Sequence, residues 1–115
     1  MQSVTFMLTK SKPVTYKRHM KTTQTLEFSE WLSSLKDQKA KRAITIRIAR
    51  VEAGLMCDVR SVGDRVSELR IDYGPGYRVY FTIRGQELMI LLWVGTKRTQ
   101  SRDIERAKKM AADLE

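Results

Sequence analysis

The sequence predicts a single α+β domain: an N-terminal helical hairpin packed on an antiparallel sheet of about four or five strands, closed by a C-terminal helix. Three observations lead there. Apolar residues follow a helical period of about 3.6 over residues 28–55 and a strand period of about 2 over residues 58–94. Glycine-centred turns punctuate the alternating part at Gly74-Pro75-Gly76 and Gly85-Gln86. A chain of 115 residues with 42% hydrophobic content is long enough for one modest core and too short for two.

The elements follow in order. Residues 1–19 hold Pro13 with scattered serine and threonine and no sustained period, which reads as a basic, flexible arm or as sequence upstream of a start at Met20. The domain then occupies residues 20–115. A Thr-rich stretch over 21–26 is a short first strand. Phe28, Trp31, Leu32 and Leu35 fall at i, i+3, i+4 and i+7, the apolar stripe of a helix that breaks near Asp37 and Gln38. A second helix carries Ala40, Ile44, Ile48, Val51 and Leu55 on one face and stops at Gly54. Strands follow over 58–62, 66–73, 77–84 and 87–94. Ile104, Ala107, Ala111 and Leu114 mark a last amphipathic helix capped near 99–101.

Charge narrows the function. Twenty-two Lys and Arg against thirteen Asp and Glu give a net charge of +9, a field that attracts polyanions. Nucleic acid and an acidic protein partner both answer to it, and composition does not divide them. Lys10, Lys12, Lys17 and Arg18 place part of the excess in the arm, but most belongs to the domain. No apolar run reaches the ~18–20 residues of a membrane span, and without an apolar h-region in residues 1–19 no secretory leader is expected. Cys57 stands alone, which excludes an internal disulfide and fits a reducing, cytoplasmic setting.

A symmetric Gly-Pro-Gly loop would place Ile71 opposite Val79, Leu69 opposite Phe81, Asp72 opposite Arg78 and Arg70 opposite Tyr80. One sheet face is then apolar, and the other bears Arg70, Arg78, Tyr80, Arg84 and Trp93. Arginines interleaved with aromatics suit RNA, since guanidinium groups bind phosphate and rings stack on unpaired bases. The alternative is a solvated face on which Asp72 and Glu87 neutralise their neighbours.

Taken together, FSEWLSSLKD at 28–37, VSELRIDYGPGYRVYF at 66–81 and TKRTQSRDIERAKKMA at 96–111 resemble the HigB-like addiction-module killer proteins of the RelE/ParE toxin superfamily. The resemblance spans roughly residues 25–114. It implies the fold set out above and the toxin half of a type II toxin–antitoxin pair. RelE-like members cleave messenger RNA on the ribosome; ParE-like members inhibit DNA gyrase without catalysis, and a relative that only binds its antitoxin is the third reading. The implied partners are a helix-turn-helix antitoxin from an adjacent gene and mRNA on the ribosome, with no membrane; self-association is left open.

The chemistry must come from these residues. The one histidine, His19, lies in the arm, which excludes a two-histidine ribonuclease, and no cluster has metal-ligand spacing, so no metal or other cofactor is expected. The resemblance implies cations around the scissile phosphate: Arg70 and Arg78 as phosphate ligands, Tyr80 for orientation or stacking, and Lys97 for phosphate binding or proton transfer. Arg84, Trp93, Arg98, Gln100 and Arg102 are expected along the RNA path. The family pattern has glycine where this chain has Cys57, Arg65 and Val94, and aspartate at Thr96. Where such a glycine has a positive φ, the replacement is strained.

Overall fold

The computed structural model describes residues 20–85 and 87–114; the arm proposed for residues 1–19 lies outside them. Strand β1 (Lys21–Gln24) leads into helices α1 (Leu26–Ser34) and α2 (Gln38–Glu52). Strands β2 (Val59–Gly63), β3 (Val66–Ile71), β4 (Tyr77–Arg84) and β5 (Leu88–Thr96) follow, then a 3-10 turn (Lys97–Thr99) and helix α3 (Gln100–Asp113).

The five strands form one sheet in the order β1-β5-β4-β3-β2. Strands β2 to β5 make the expected antiparallel meander, but β1 runs parallel to β5, so the sheet is mixed rather than antiparallel. Two helices and three strands separate β1 from β5, and a connection that long permits a parallel pairing that a tight turn forbids. The helical hairpin is likewise not a self-contained pair. Residues 35–37 separate α1 from α2, and α1 rests on β5 while α2 rests on β3.

Local chemistry sets the helix ends. Thr25 Oγ1 accepts the Phe28 N–H at 3.0 Å and donates to the Leu92 carbonyl at 2.7 Å, capping α1 and tying it to β5. The Asp37 carboxylate accepts the Lys39 and Ala40 N–H groups and starts α2. Gly54, at φ 91°, closes α2: its N–H donates to Val51 and the Leu55 N–H donates to Arg50, the paired bonds of a left-handed glycine cap. Leu55 therefore lies past the helix and is exposed, not on its apolar stripe.

Two cores flank the sheet. Phe28, Ala40, Ile44, Ile48 and Val51 pack on Leu69, Ile71, Val79 and Phe81, with Trp31 edge-on to Tyr77 at 5.7 Å. On the other face Ala107 and Ala111 of α3 pack on Val66, Tyr80 and Leu92. The sheet face expected to lie open is thus largely roofed by α3, and β4 is buried on both sides. Tyr80 and Trp93 pair directly, whereas Phe81 pairs with Leu91, so the bulge at Leu92 turns Leu92 and Trp93 toward α3 together.

The β3–β4 register differs from the symmetric loop by two residues. Ile71 faces Tyr77, Arg70 faces Arg78, Leu69 faces Val79 and Glu68 faces Tyr80. The connection is five residues long, 72–76, with Gly74 and Gly76 both at positive φ. A shift of two leaves every side chain on its expected face. It does replace the Asp72–Arg78 pairing with two arginines side by side.

The β2–β3 turn contains Asp64 and Arg65 at φ 56° and 63°, a two-residue type I′ loop without its usual glycine. Cys57 and Val94 have no such backbone, and Val94 packs in the first core. Replacing Arg65 with glycine is expected to raise stability by about 0.5–1 kcal/mol, the left-handed strain relieved less the chain entropy glycine adds. Thermal unfolding would register this as a rise of a few degrees.

Candidate functional site

The centre of the second sheet face is a buried carboxylate. Glu68 of β3 is fully enclosed, and donors from four segments converge on it. Its Oε1 accepts Arg60 Nε at 2.9 Å and Arg78 Nη1 at 3.4 Å, with Arg70 Nε at 3.5 Å. Its Oε2 accepts the Tyr80 hydroxyl at 3.0 Å and Gln100 Nε2 at 2.9 Å. Burial alone pushes this carboxyl upward. The hydrogen bonds from Arg60, Gln100 and Tyr80, together with the charge of Arg60, outweigh burial and hold it below the usual carboxylate range. Glu68 is therefore ionised at neutral pH and clamps β2, β3, β4 and α3 together.

Above it opens a cleft of about 360 Å³ lined by Asp58, Arg70, Ile71, Asp72, Gly76, Arg78 and Lys97. Arg70 is 50% exposed there, while Arg78 is only 8% exposed and anchored from beneath. Lys97 arrives from the end of β5; its N–H donates to the Gly76 carbonyl at 2.8 Å, fixing it to the β3–β4 connection. A neighbouring hollow of about 350 Å³ shares Lys97 and continues along Arg98, Thr99, Gln100, Ser101 and Arg102. The site thus gathers cations from β3, β4 and the β5–α3 junction on one opening. Among the described residues there is no group of three His, Cys, Asp or Glu able to hold a metal.

Several expected residues sit elsewhere. Tyr80 is fully buried, so it does not stack on a base; its ring supports α3 and its hydroxyl holds Glu68. Burial, followed by the Glu68 charge, raises its pKa far above the ordinary phenol value, so it does not act as a base at neutral pH. Tyr80→Phe is expected to lower stability by about 1–2 kcal/mol, measured by urea unfolding, because Glu68 loses a donor it cannot replace with water. Arg84 lies at the far end of β4, six residues and roughly 20 Å from Arg78. It donates to the Ala111 carbonyl at 3.5 Å, near the end of α3. Trp93 is half-buried, its indole N–H donating to Asp103 Oδ1 at 3.0 Å and its face covered by the Arg106 guanidinium at 4.3 Å. Gln100 points inward at Glu68, while Arg98 and Arg102 are exposed at the second hollow.

Glu68, Arg60 and Asp103 are the residues sequence reasoning missed. Asp103 was detectable as an acid at i−4 and i−8 from Ala107 and Ala111, on the stripe α3 buries. Its carboxylate also accepts from Thr99. Gly95 makes room for it: a Cβ there would fall 2.7 Å from Asp103 Cγ and closer still to Oδ2. Gly95→Ala is expected to displace Asp103 and lower stability by about 1–3 kcal/mol, with a change in the near-UV signal of Trp93.

The family model of the phage-derived, Gp49-like proteins (DUF891) matches residues 30–113, which includes every cleft residue. The chain belongs to the Gp49-like family. A protein of Haemophilus influenzae described as uncharacterized is 49% identical over 90 residues, covering 78% of this chain and 91% of that relative. Gp49-like proteins are a toxin-like family of the RelE/HigB type, and that context carries the expectation of an antitoxin partner. No helix among the described residues is long and apolar enough to cross a membrane.

Proposed function

We propose that this Gp49-like chain is the toxin of a type II toxin–antitoxin pair and cleaves messenger RNA on the ribosome. The observation that carries the proposal is the convergence of Arg70, Arg78 and Lys97, from three separate segments, on one open cleft. RNA supplies its own nucleophile, the 2′-OH, so the protein must hold the chain in line, spread the phosphate charge and move two protons. In this reading Arg70 and Arg78 bind the non-bridging oxygens of the scissile phosphate. Asp72, which lines the same cleft, takes the 2′-OH proton as O2′ bonds to phosphorus. The bond from phosphorus to O5′ breaks as the Lys97 ammonium gives that oxygen a proton, leaving a 2′,3′-cyclic phosphate and a 5′-hydroxyl. Glu68 touches none of the reacting atoms; it fixes Arg78 and, through Gln100, the start of α3.

Growth after controlled induction tests the proposal in cells. Arrest that is relieved by co-expressing the adjacent reading frame supports a toxin with its antitoxin. Unimpaired growth with soluble, folded protein rejects it.

A further inference from the structure

A second basic surface lies outside the cleft. Arg102, Arg106 and Lys109 stand at i, i+4 and i+7 on α3, and Arg98 continues the row into the preceding turn. That spacing puts them on one helix face, beside the stripe of Asp103, Ala107 and Ala111 that packs on the sheet. All four are exposed, and none makes an ion pair among the described residues. Glu105 flanks the row and Asp113 lies beyond its end, so the face stays strongly positive. Arg106 is held in place by the Trp93 ring, which Asp103 in turn fixes.

We infer that this face of α3 is a docking surface for the phosphate backbone of double-helical RNA. The inference extends the ribonuclease reading by adding an RNA contact separate from the cleaved strand. Four cations spaced about one turn apart over roughly 16 Å of a rigid element match a regular array of phosphates better than a flexible strand. Unpaired RNA is bound largely through stacking, and the Trp93 ring beside this row is covered by the Arg106 guanidinium. The surface therefore offers charge at fixed spacing and no reader of bases, which suits a helix recognised by shape.

The test is fluorescence anisotropy with a 20-base-pair RNA duplex over a series of salt concentrations, which requires no cleavage. Each phosphate contact contributes about 0.9 to the slope of log affinity against log salt, so R98A/R102A/R106A/K109A is expected to reduce the slope by about 3–4. Removing three cations from α2 with K39A/R42A/R50A should leave the slope unchanged, which separates docking from net charge. The slope reads duplex binding and the mapped message ends read cleavage, so loss of the cleavage reading and loss of this one are told apart. A wild-type slope in the α3 variant, with its fold confirmed by circular dichroism, would overturn the inference. Equal loss in the α2 variant would also overturn it.

Discussion

Replacing Glu68 with alanine is expected to lower the free energy of unfolding by about 3–5 kcal/mol, a large share of the stability of a domain this size. The carboxylate is fully buried and serves Arg60, Arg78, Tyr80 and Gln100 at once, so its removal strands the nearly buried Arg78 guanidinium and two neutral donors. Urea unfolding at pH 7 measures the loss. The pH dependence follows from the depressed pKa of Glu68. A carboxyl whose pKa is lower folded than unfolded stabilises the fold above its unfolded pKa, and that stabilisation disappears as pH falls through the lower, folded value. The gap between wild type and Glu68→Gln, which keeps the shape without the charge, should therefore be widest near neutrality and narrow below about pH 4. A variant within 0.5 kcal/mol of wild type at pH 7, roughly the effect of an ordinary surface change, would show that the cluster does not hold the elements together.

Removing a cleft cation should act the other way, on activity and not on the fold. Arg70→Ala and Lys97→Ala are each expected to reduce RNA cleavage by about 10²-fold or more, the effect of losing one charge-stabilising group from a pre-organised site. Stability should change by less than about 1 kcal/mol, because Lys97 is exposed and Arg70, half-exposed, lies 3.5 Å from a carboxylate that has closer partners. Arg70→Lys should recover only part of the rate, since an ammonium cannot reproduce two-point contact with phosphate. Single-turnover cleavage of a translated message, beside thermal unfolding of the same preparations, separates the two effects. Equal losses of activity and stability would make Arg70 structural.

The contrast between these two residues reflects what the sequence exposes. Strand alternation is local, so Leu69, Ile71, Val79 and Phe81 were legible as one face, and a slip of two in the β3–β4 register left that face intact. The slip itself depends on how residues 72–76 arrange two left-handed glycines, which no period encodes. Ala107 and Ala111 announce that α3 has a buried side, but not which surface receives it. That docking turned Tyr80 from an expected surface ring into core. The parallel β1 was hidden for a similar reason: all four of its residues are exposed, so its pairing leaves no apolar pattern. In the cleft, strand alternation put Arg70 and Arg78 on one face, the family resemblance added Lys97, and the three share one opening. Glu68 was not found, because the donors that make it a hub lie 8, 10, 12 and 32 residues away.

Cleavage by this chain is tested most directly in a reconstituted translation reaction with purified protein, in which message ends are mapped with and without ribosomes. Cuts in translated message are expected that leave a 2′,3′-cyclic phosphate, depend on ribosomes, and vanish in the Arg70→Ala, Lys97→Ala double variant. Intact message in the presence of equimolar folded wild-type protein, or cleavage that survives loss of both cations, would contradict that expectation.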